Sequence, residues 1–131
     1  VKPYRILVTG SRECTEVQAR YVENVLYTAA SGPLGRGRIV VVVEGRCPKG
    51  GVDRVAQRWA DQTRGVTGEG HPADWDRHGN AAGPIRNTEM VAAGADICLA
   101  FPSASSKGTW DCIRKAADAG IHVRIYPLES R

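Results

Sequence analysis

The feature that most constrains this chain is an alternation of short apolar runs with stretches of helical spacing, punctuated by glycine-bearing turns. Tyr4 to Thr9 is a β-rich run ending at Gly10, and Ile39 to Val43 is a continuous β-branched run leading into Glu44-Gly45. Runs without polar alternation belong to strands covered on both faces, as in parallel sheets. After Thr15, Val22, Val25, Leu26 and Ala29 follow i, i+3, i+4, i+7 spacing, and Gly32-Pro33 is the expected stop. Val52, Val55, Ala56, Trp59 and Ala60 repeat the helical pattern until about Gly65.

The alternation continues to the end. Val66 to His71 is a third strand, although Gly65, Gly68 and Gly70 weaken its propensity. His71 to Ala82 is polar and turn-rich, a working loop, and Gly83-Pro84 enters a helix running to about Ala93. Asp96 to Phe101 is a fourth strand, Lys107 to Ala119 a helix closed by Gly120, and Ile121 to Tyr126 a fifth strand. The expected fold is α/β, a Rossmann-like three-layer α/β/α sandwich with a mostly parallel five-stranded sheet, and residues 1–131 form one domain. The 15 glycines fit the tight turns such a fold needs.

Several function classes fall away. No apolar run reaches the roughly 18 residues needed to cross a bilayer, and no basic stretch leads into a signal-like core, so a cytoplasmic protein is expected. The 4 cysteines, Cys14, Cys47, Cys98 and Cys112, lack Cys-x-x-Cys spacing and are expected as free thiols. His71, Asp74, Asp76 and His78 have ligand-type side chains without established ligand spacing, so neither a metal nor another cofactor is expected. A net charge of +4, spread along the chain, suits an anionic small molecule better than nucleic acid.

In an open parallel sheet, ligands bind beyond the carboxyl ends of the strands. The turns there carry Gly10, Ser11 and Arg12 after the first strand, Gly45 and Lys49-Gly50-Gly51 after the second, and Lys107, Gly108 and Thr109 after the fourth. Glycine lets backbone approach a phosphate, and helix-start N–H groups donate to it. The same residues also make ordinary helix caps. Gly45 and Gly50 have Walker spacing, but Gly51 and Val52 replace the required Lys and Ser/Thr, and Gly10 opens no Gly-x-Gly-x-x-Gly pattern.

Asn87 shares a helix face with Met90 and Val91, which puts an amide beside an apolar stripe, and buried amides need partners. Its neighbour Arg86 suits two-pronged contact with phosphate or carboxylate; alternatively it pairs with Glu89 or Asp53. Asp53 sits in a first helical turn, where it caps or contacts ligand. Glu44, at a buried strand end, is a candidate for ribose contact or acid–base chemistry. Trp75 and Trp110 are candidates for stacking on a base, with packing as the alternative.

Taken together, Arg5-Ile-Leu-Val-Thr-Gly-Ser-Arg12, Lys49-Gly-Gly-Val-Asp-Arg54, His71-Pro-Ala-Asp-Trp-Asp76, Gly83-Pro-Ile-Arg-Asn87 with Met90, and Lys107-Gly-Thr-Trp110 resemble the YspA-like branch of the SLOG superfamily. Lonely Guy phosphoribohydrolases and DNA-processing protein A are relatives within it. The resemblance implies a Rossmann-like fold and a pocket for a nucleotide or nucleotide-derived signal, lined by Gly10, Ser11, Arg12, Gly45, Asp53, Arg86, Asn87, Gly108 and Thr109. It also implies relatives in phages and bacteria, and a homodimer. Lonely Guy enzymes carry Pro-Gly-Gly-x-Gly-Thr-x-x-Glu, whose Glu serves hydrolysis; here Cys112 stands at that position. Asp111 comes one residue early, turned by about 100° around a helix. The first expectation is therefore a sensor or sequestering module. The alternatives are a nucleotide N-glycosidase, with Glu44 or Asp111 supplying the carboxylate, and a weak DNA-binding module.

Overall fold

A computed structural model describes residues 2–128. Five strands, β1 (Tyr4–Gly10), β2 (Val40–Glu44), β3 (Val66–Gly70), β4 (Ile97–Phe101) and β5 (His122–Ile125), pair in the order β3-β2-β1-β4-β5. Every pairing is parallel, so the sheet is wholly rather than mostly parallel. The chain first builds outward from β1 through β2 to β3. It then crosses back to place β4 on the other side of β1, which creates a switch point at the β1–β4 crevice.

Side chains of β1 alternate between two apolar layers. Ile6 and Val8 pack with Val22, Leu26, Val52, Ala56 and Trp59 of α1 (Glu16–Gly35) and α2 (Gly51–Gln62). Leu7 points the other way, toward Met90 of α4 (Ala82–Ala93) and Cys112 and Ala116 of α5 (Lys107–Asp118), with Val43 and Cys98 beside it. Each fully buried Val or Leu contributes about 1.5–3 kcal/mol, so this two-sided burial holds the central strands in register. No helix among the described residues is long and apolar enough to cross a membrane.

Two local expectations are corrected. α1 continues through Gly32-Pro33 to Gly35: the proline forfeits only the bond its own nitrogen would donate, and Arg36 N still closes the last turn by donating to the Gly32 and Pro33 carbonyls. The stretch from His71 to Ala82 is not an open loop. It holds the short helix α3 (Trp75–His78), capped where the Asp74 side chain accepts from Arg77 N at 3.1 Å, and a 3-10 turn over Gly79–Ala81 that feeds directly into α4. Pro84 lies in the first turn of α4, as expected from the sequence.

Candidate functional site

The carboxyl end of β1 is tied to its neighbours by backbone bonds. Ser11 N donates to the Phe101 carbonyl of β4 at 3.0 Å, and the first amides of α2 approach from the other side, Val52 N donating to the Ser11 carbonyl at 3.0 Å. This docking needs Gly10 and Gly51. A Cβ on Gly10 would lie 2.7 Å from the Val52 side chain, and one on Gly51, whose φ is +60°, would press into the Ser11–Arg12 backbone. The β1 and β2 turns are thus one unit at the crevice.

Hydroxyls extend that unit toward α5. Ser11 Oγ accepts from Glu13 N at 3.1 Å and from Ser103 Oγ at 3.1 Å, and Ser103 Oγ lies 3.0 Å from Ser106 Oγ. Ser106 precedes α5, a helix that starts without a side-chain cap. Thr109 is buried in its first turn, whereas Lys107 and Gly108 are exposed. Ser103 and Ser106 were not among the candidates named from sequence. The serine-rich run after β4 was the available signal, but their link to Ser11 depends on the β1–β4 pairing.

The Arg86–Asn87 pair stands at the centre. Asn87 is 3% exposed and satisfies its amide fully: Nδ2 donates to the Gly108 carbonyl and to Asp111 Oδ2, both at 3.1 Å, while Oδ1 accepts from Arg86 Nε at 3.0 Å. Arg86 Nη1 donates to the Gly45 carbonyl. One guanidinium therefore connects the start of α4, the turn after β2 and, through Asn87, the start of α5. No Arg86–Glu89 ion pair forms among the described residues. Arg86 instead acts on Asp53 through its charge.

The acids at this edge differ in their surroundings. Glu44 is 1% exposed, and its two oxygens accept from Arg46 N at 2.6 Å and Arg46 Nε at 2.7 Å. Arg46 holds a left-handed φ of +48° to do so, a conformation that bulky residues rarely adopt. Asp53 Oδ2 accepts from Cys47 N at 3.1 Å, so Asp53 braces the turn after β2. Burial, then the nearby Glu44 charge, pushes the Asp53 carboxyl up to about 7, against the pull of Arg86. Asp111 is engaged by Lys115 Nζ at 2.9 Å, Asn87 and Arg114, which together hold it below the usual carboxylate range despite partial burial. Lys115 also reaches the Pro84 carbonyl at 2.8 Å and clamps α5 to the start of α4.

The raised Asp53 value carries a stability consequence. Between about 4 and about 7 the folded protein retains a proton that the unfolded chain has lost, so stability falls as pH rises, by about 1.4 kcal/mol per pH unit. Urea unfolding from pH 4.5 to 6.5 is expected to show this slope, with a plateau above about 7, and Asp53→Asn to flatten it. An unchanged slope in the variant would assign the proton to another group.

The remaining candidates lie at the rim. Trp75 is 37% exposed and flanks Gly83 at the start of α4, Trp110 is 43% exposed on α5, and no ring contact joins them among the described residues. Arg12 is exposed beside the β1 turn, and Gly45 and Gly50 are buried within the β2 turn. His71 Nε2 bonds Glu69 at 2.7 Å, in a network with Arg5 that includes none of Asp74, Asp76 and His78 among the described residues. Among the described residues no group of three or more His, Cys, Asp or Glu side chains could hold a metal ion. Cys112, at the position of the Lonely Guy glutamate, is wholly buried and hydrogen-bonds Cys98 and Thr9.

Comparison with known proteins agrees with this architecture. A family model described as the YspA, cpYpsA-related SLOG family matches residues 4–78, from β1 through α3. Gene 61 protein of Mycobacterium phage D29 is 44% identical over 124 residues, which cover 91% of this chain and 93% of that protein. That alignment extends well beyond the family match and so takes in much of the α4–α5 side of the site.

Proposed function

The chain belongs to the YspA, cpYpsA-related SLOG family, and from that premise we propose that it binds a nucleotide or nucleotide-derived anion at the carboxyl edge of its parallel sheet. The observation that carries this reading is the anchoring of Arg86. Its Nε and Nη1 are committed to Asn87 and Gly45, while Nη2 has no hydrogen-bond partner among the described residues. A guanidinium fixed on two sides with a donor edge unspent is preorganised for an anion. Around it stand the glycine turns after β1 and β2 and the uncapped start of α5, whose dipole favours negative charge. Gly10, Ser11, Arg12, Gly45, Gly50, Asp53, Asn87, Lys107, Gly108 and Thr109 complete the site, with Trp75 and Trp110 at its rim for the base.

A thermal-shift series with nucleoside monophosphates and cyclic nucleotides tests the site. A ligand at about 100 times its Kd adds about 2.7 kcal/mol, a rise on the order of 10 °C for a domain of this size. Arg86→Ala is expected to abolish the rise measured from the variant's own midpoint. A full rise in that variant would remove Arg86 from the site, and no rise with any nucleotide would overturn the reading.

Hydrolysis of the base–ribose bond is the second reading. Glu44 and Asp53 favour it, as two buried carboxyls at the same edge, one of them able to hold a proton near neutral pH. The Arg46 contacts that occupy both Glu44 oxygens weigh for binding over catalysis. Chromatography of the same incubations for released base decides between the two.

A further inference from the structure

Among the described residues the buried acids are Glu44 and Asp53, 1% and 8% exposed, and both hold the turn after β2. Their counter-charges differ. Glu44 accepts from Arg46 N and Arg46 Nε, whereas no cation lies within ion-pair distance of Asp53 among the described residues. Asp53 is held by amides instead, Cys47 N at 3.1 Å and Gly45 N. Amides orient a carboxylate without cancelling its charge.

Gly45 fixes how near this acid lies to the anion site. Its N–H donates to Asp53 while its carbonyl accepts from Arg86 Nη1, so a single residue separates the carboxyl from the guanidinium proposed to receive the ligand. The charged and titratable groups around Asp53 come from several elements: Glu44 ends β2, Arg46 and Cys47 lie in the turn, and Arg86 reaches in from α4. His71, beyond β3, touches this cluster through its backbone N on the Glu44 carbonyl at 2.8 Å, and its ring bonds Glu69. On α5, Asp111 is engaged by Lys115, and Cys112 feels the Arg86 charge. With Asp53 ionised, Glu44 and Asp53 cancel Arg46 and Arg86. With Asp53 protonated, one positive charge is left over, the complement of a bound anion.

An anion on Arg86 offsets that cation's pull on Asp53 and adds a like charge of its own, and both effects favour the neutral carboxyl. Burial and Glu44 already hold Asp53 at about 7 against Arg86, which puts the exchange near neutral pH. We propose that an anion bound at Arg86 drives proton uptake by Asp53, so that the protein holds its nucleotide more tightly below neutral pH than above it. The inference rests on the nucleotide site proposed above and names its regulation. The proton comes from solvent, and no covalent bond to the ligand forms. Below about 7 the free and bound proteins both keep the proton and affinity is flat; above it the free protein has lost the proton and must regain it to bind.

Isothermal titration of the intact chain with cyclic adenosine monophosphate, whose phosphodiester keeps one charge across the range, tests this, with inorganic sulfate as a second probe. In paired buffers of different ionisation enthalpy at pH 7.5, uptake of about half a proton per bound anion is expected. Affinity should fall at least about fivefold between pH 6 and 8.5. Asp53→Asn, a neutral match in shape, is expected to remove both the uptake and the fall. The buffer comparison uses the unmodified chain, so it decides the matter whatever the variant's stability. Cyclic nucleotide bound with equal heats in both buffers and a flat profile overturns the coupling and leaves the nucleotide site standing. A pH dependence that survives Asp53→Asn assigns the proton to another group and overturns the coupling equally. Sulfate bound with proton uptake, where the nucleotide fails to bind, overturns the nucleotide reading and supports the coupling. Failure of both probes to bind overturns site and coupling together.

Discussion

Gly51→Ala is expected to lower the unfolding free energy by about 4 kcal/mol, a drop in midpoint on the order of 15 °C. Two costs add. The residue has φ +60°, a left-handed conformation disfavoured for any side chain, and its new methyl would lie 2.6 Å from the Arg12 carbonyl oxygen and closer still to that of Ser11. Those obstacles are backbone, held by the Val52-to-Ser11 and Ser11-to-Phe101 bonds, so they yield only if the β1 turn leaves the crevice. Gly37→Ala is the matched control: φ there is +77°, with nothing within 4 Å of the new methyl, so only the conformational cost of about 1 kcal/mol remains. Chemical denaturation of both variants separates the terms. A Gly51→Ala protein no less stable than Gly37→Ala would show that β1 and α2 are not docked as described. Because the same contact docks the β1 turn against the start of α2, Gly51→Ala is also expected to lose nucleotide binding under conditions where it remains folded.

How much of this was legible in the sequence depends on whether a residue's role is decided by its neighbours in the chain. β2 and β4 were plain, because runs such as Val40–Glu44 and Ile97–Phe101 are buried on both faces. β3, with the sequence Val-Thr-Gly-Glu-Gly, has little propensity of its own; it forms because β2 offers a partner in register from Val40↔Val66 to Glu44↔Gly70. α3 spans four residues, too few to show a period, and rests on the Asp74 cap and the packing of Trp75 against the start of α4. In the site, Arg86 and Asn87 stood out because polar side chains on an apolar face demand partners. Those partners, Gly45, Gly108 and Asp111, come from other elements and were not deducible. Arg46 was missed for the same reason: its positive φ and its hold on Glu44 have no local signature.

The sharpest division between binder and hydrolase comes from Cys112. In Lonely Guy enzymes this position carries the glutamate of hydrolysis, so Cys112→Glu is the substitution that would restore a catalyst if the surrounding geometry were intact. The surroundings predict the opposite. Cys112 is 0% exposed, enclosed by Leu7, Val43, Met90, Cys98 and Ala116, with its thiol engaged by Cys98 and Thr9. A glutamate adds volume to a filled layer, and its longer carboxylate is carried past the Thr9 hydroxyl and Cys98 thiol that now donate to the Cys112 sulfur. Overpacking costs about 1–3 kcal/mol, and a buried charge without a designed partner about 3–5 kcal/mol. The nearest cation is Arg86, and recruiting it would break its bonds to Asn87 and Gly45, dismantling the anion site rather than completing it. The expected result is therefore a loss of about 4 kcal/mol in urea unfolding, loss of the nucleotide-induced thermal shift, and no released base. Wild-type stability together with released base in this variant would mean that the hydrolytic geometry persists around residue 112, and that binding alone is the wrong description of the family member.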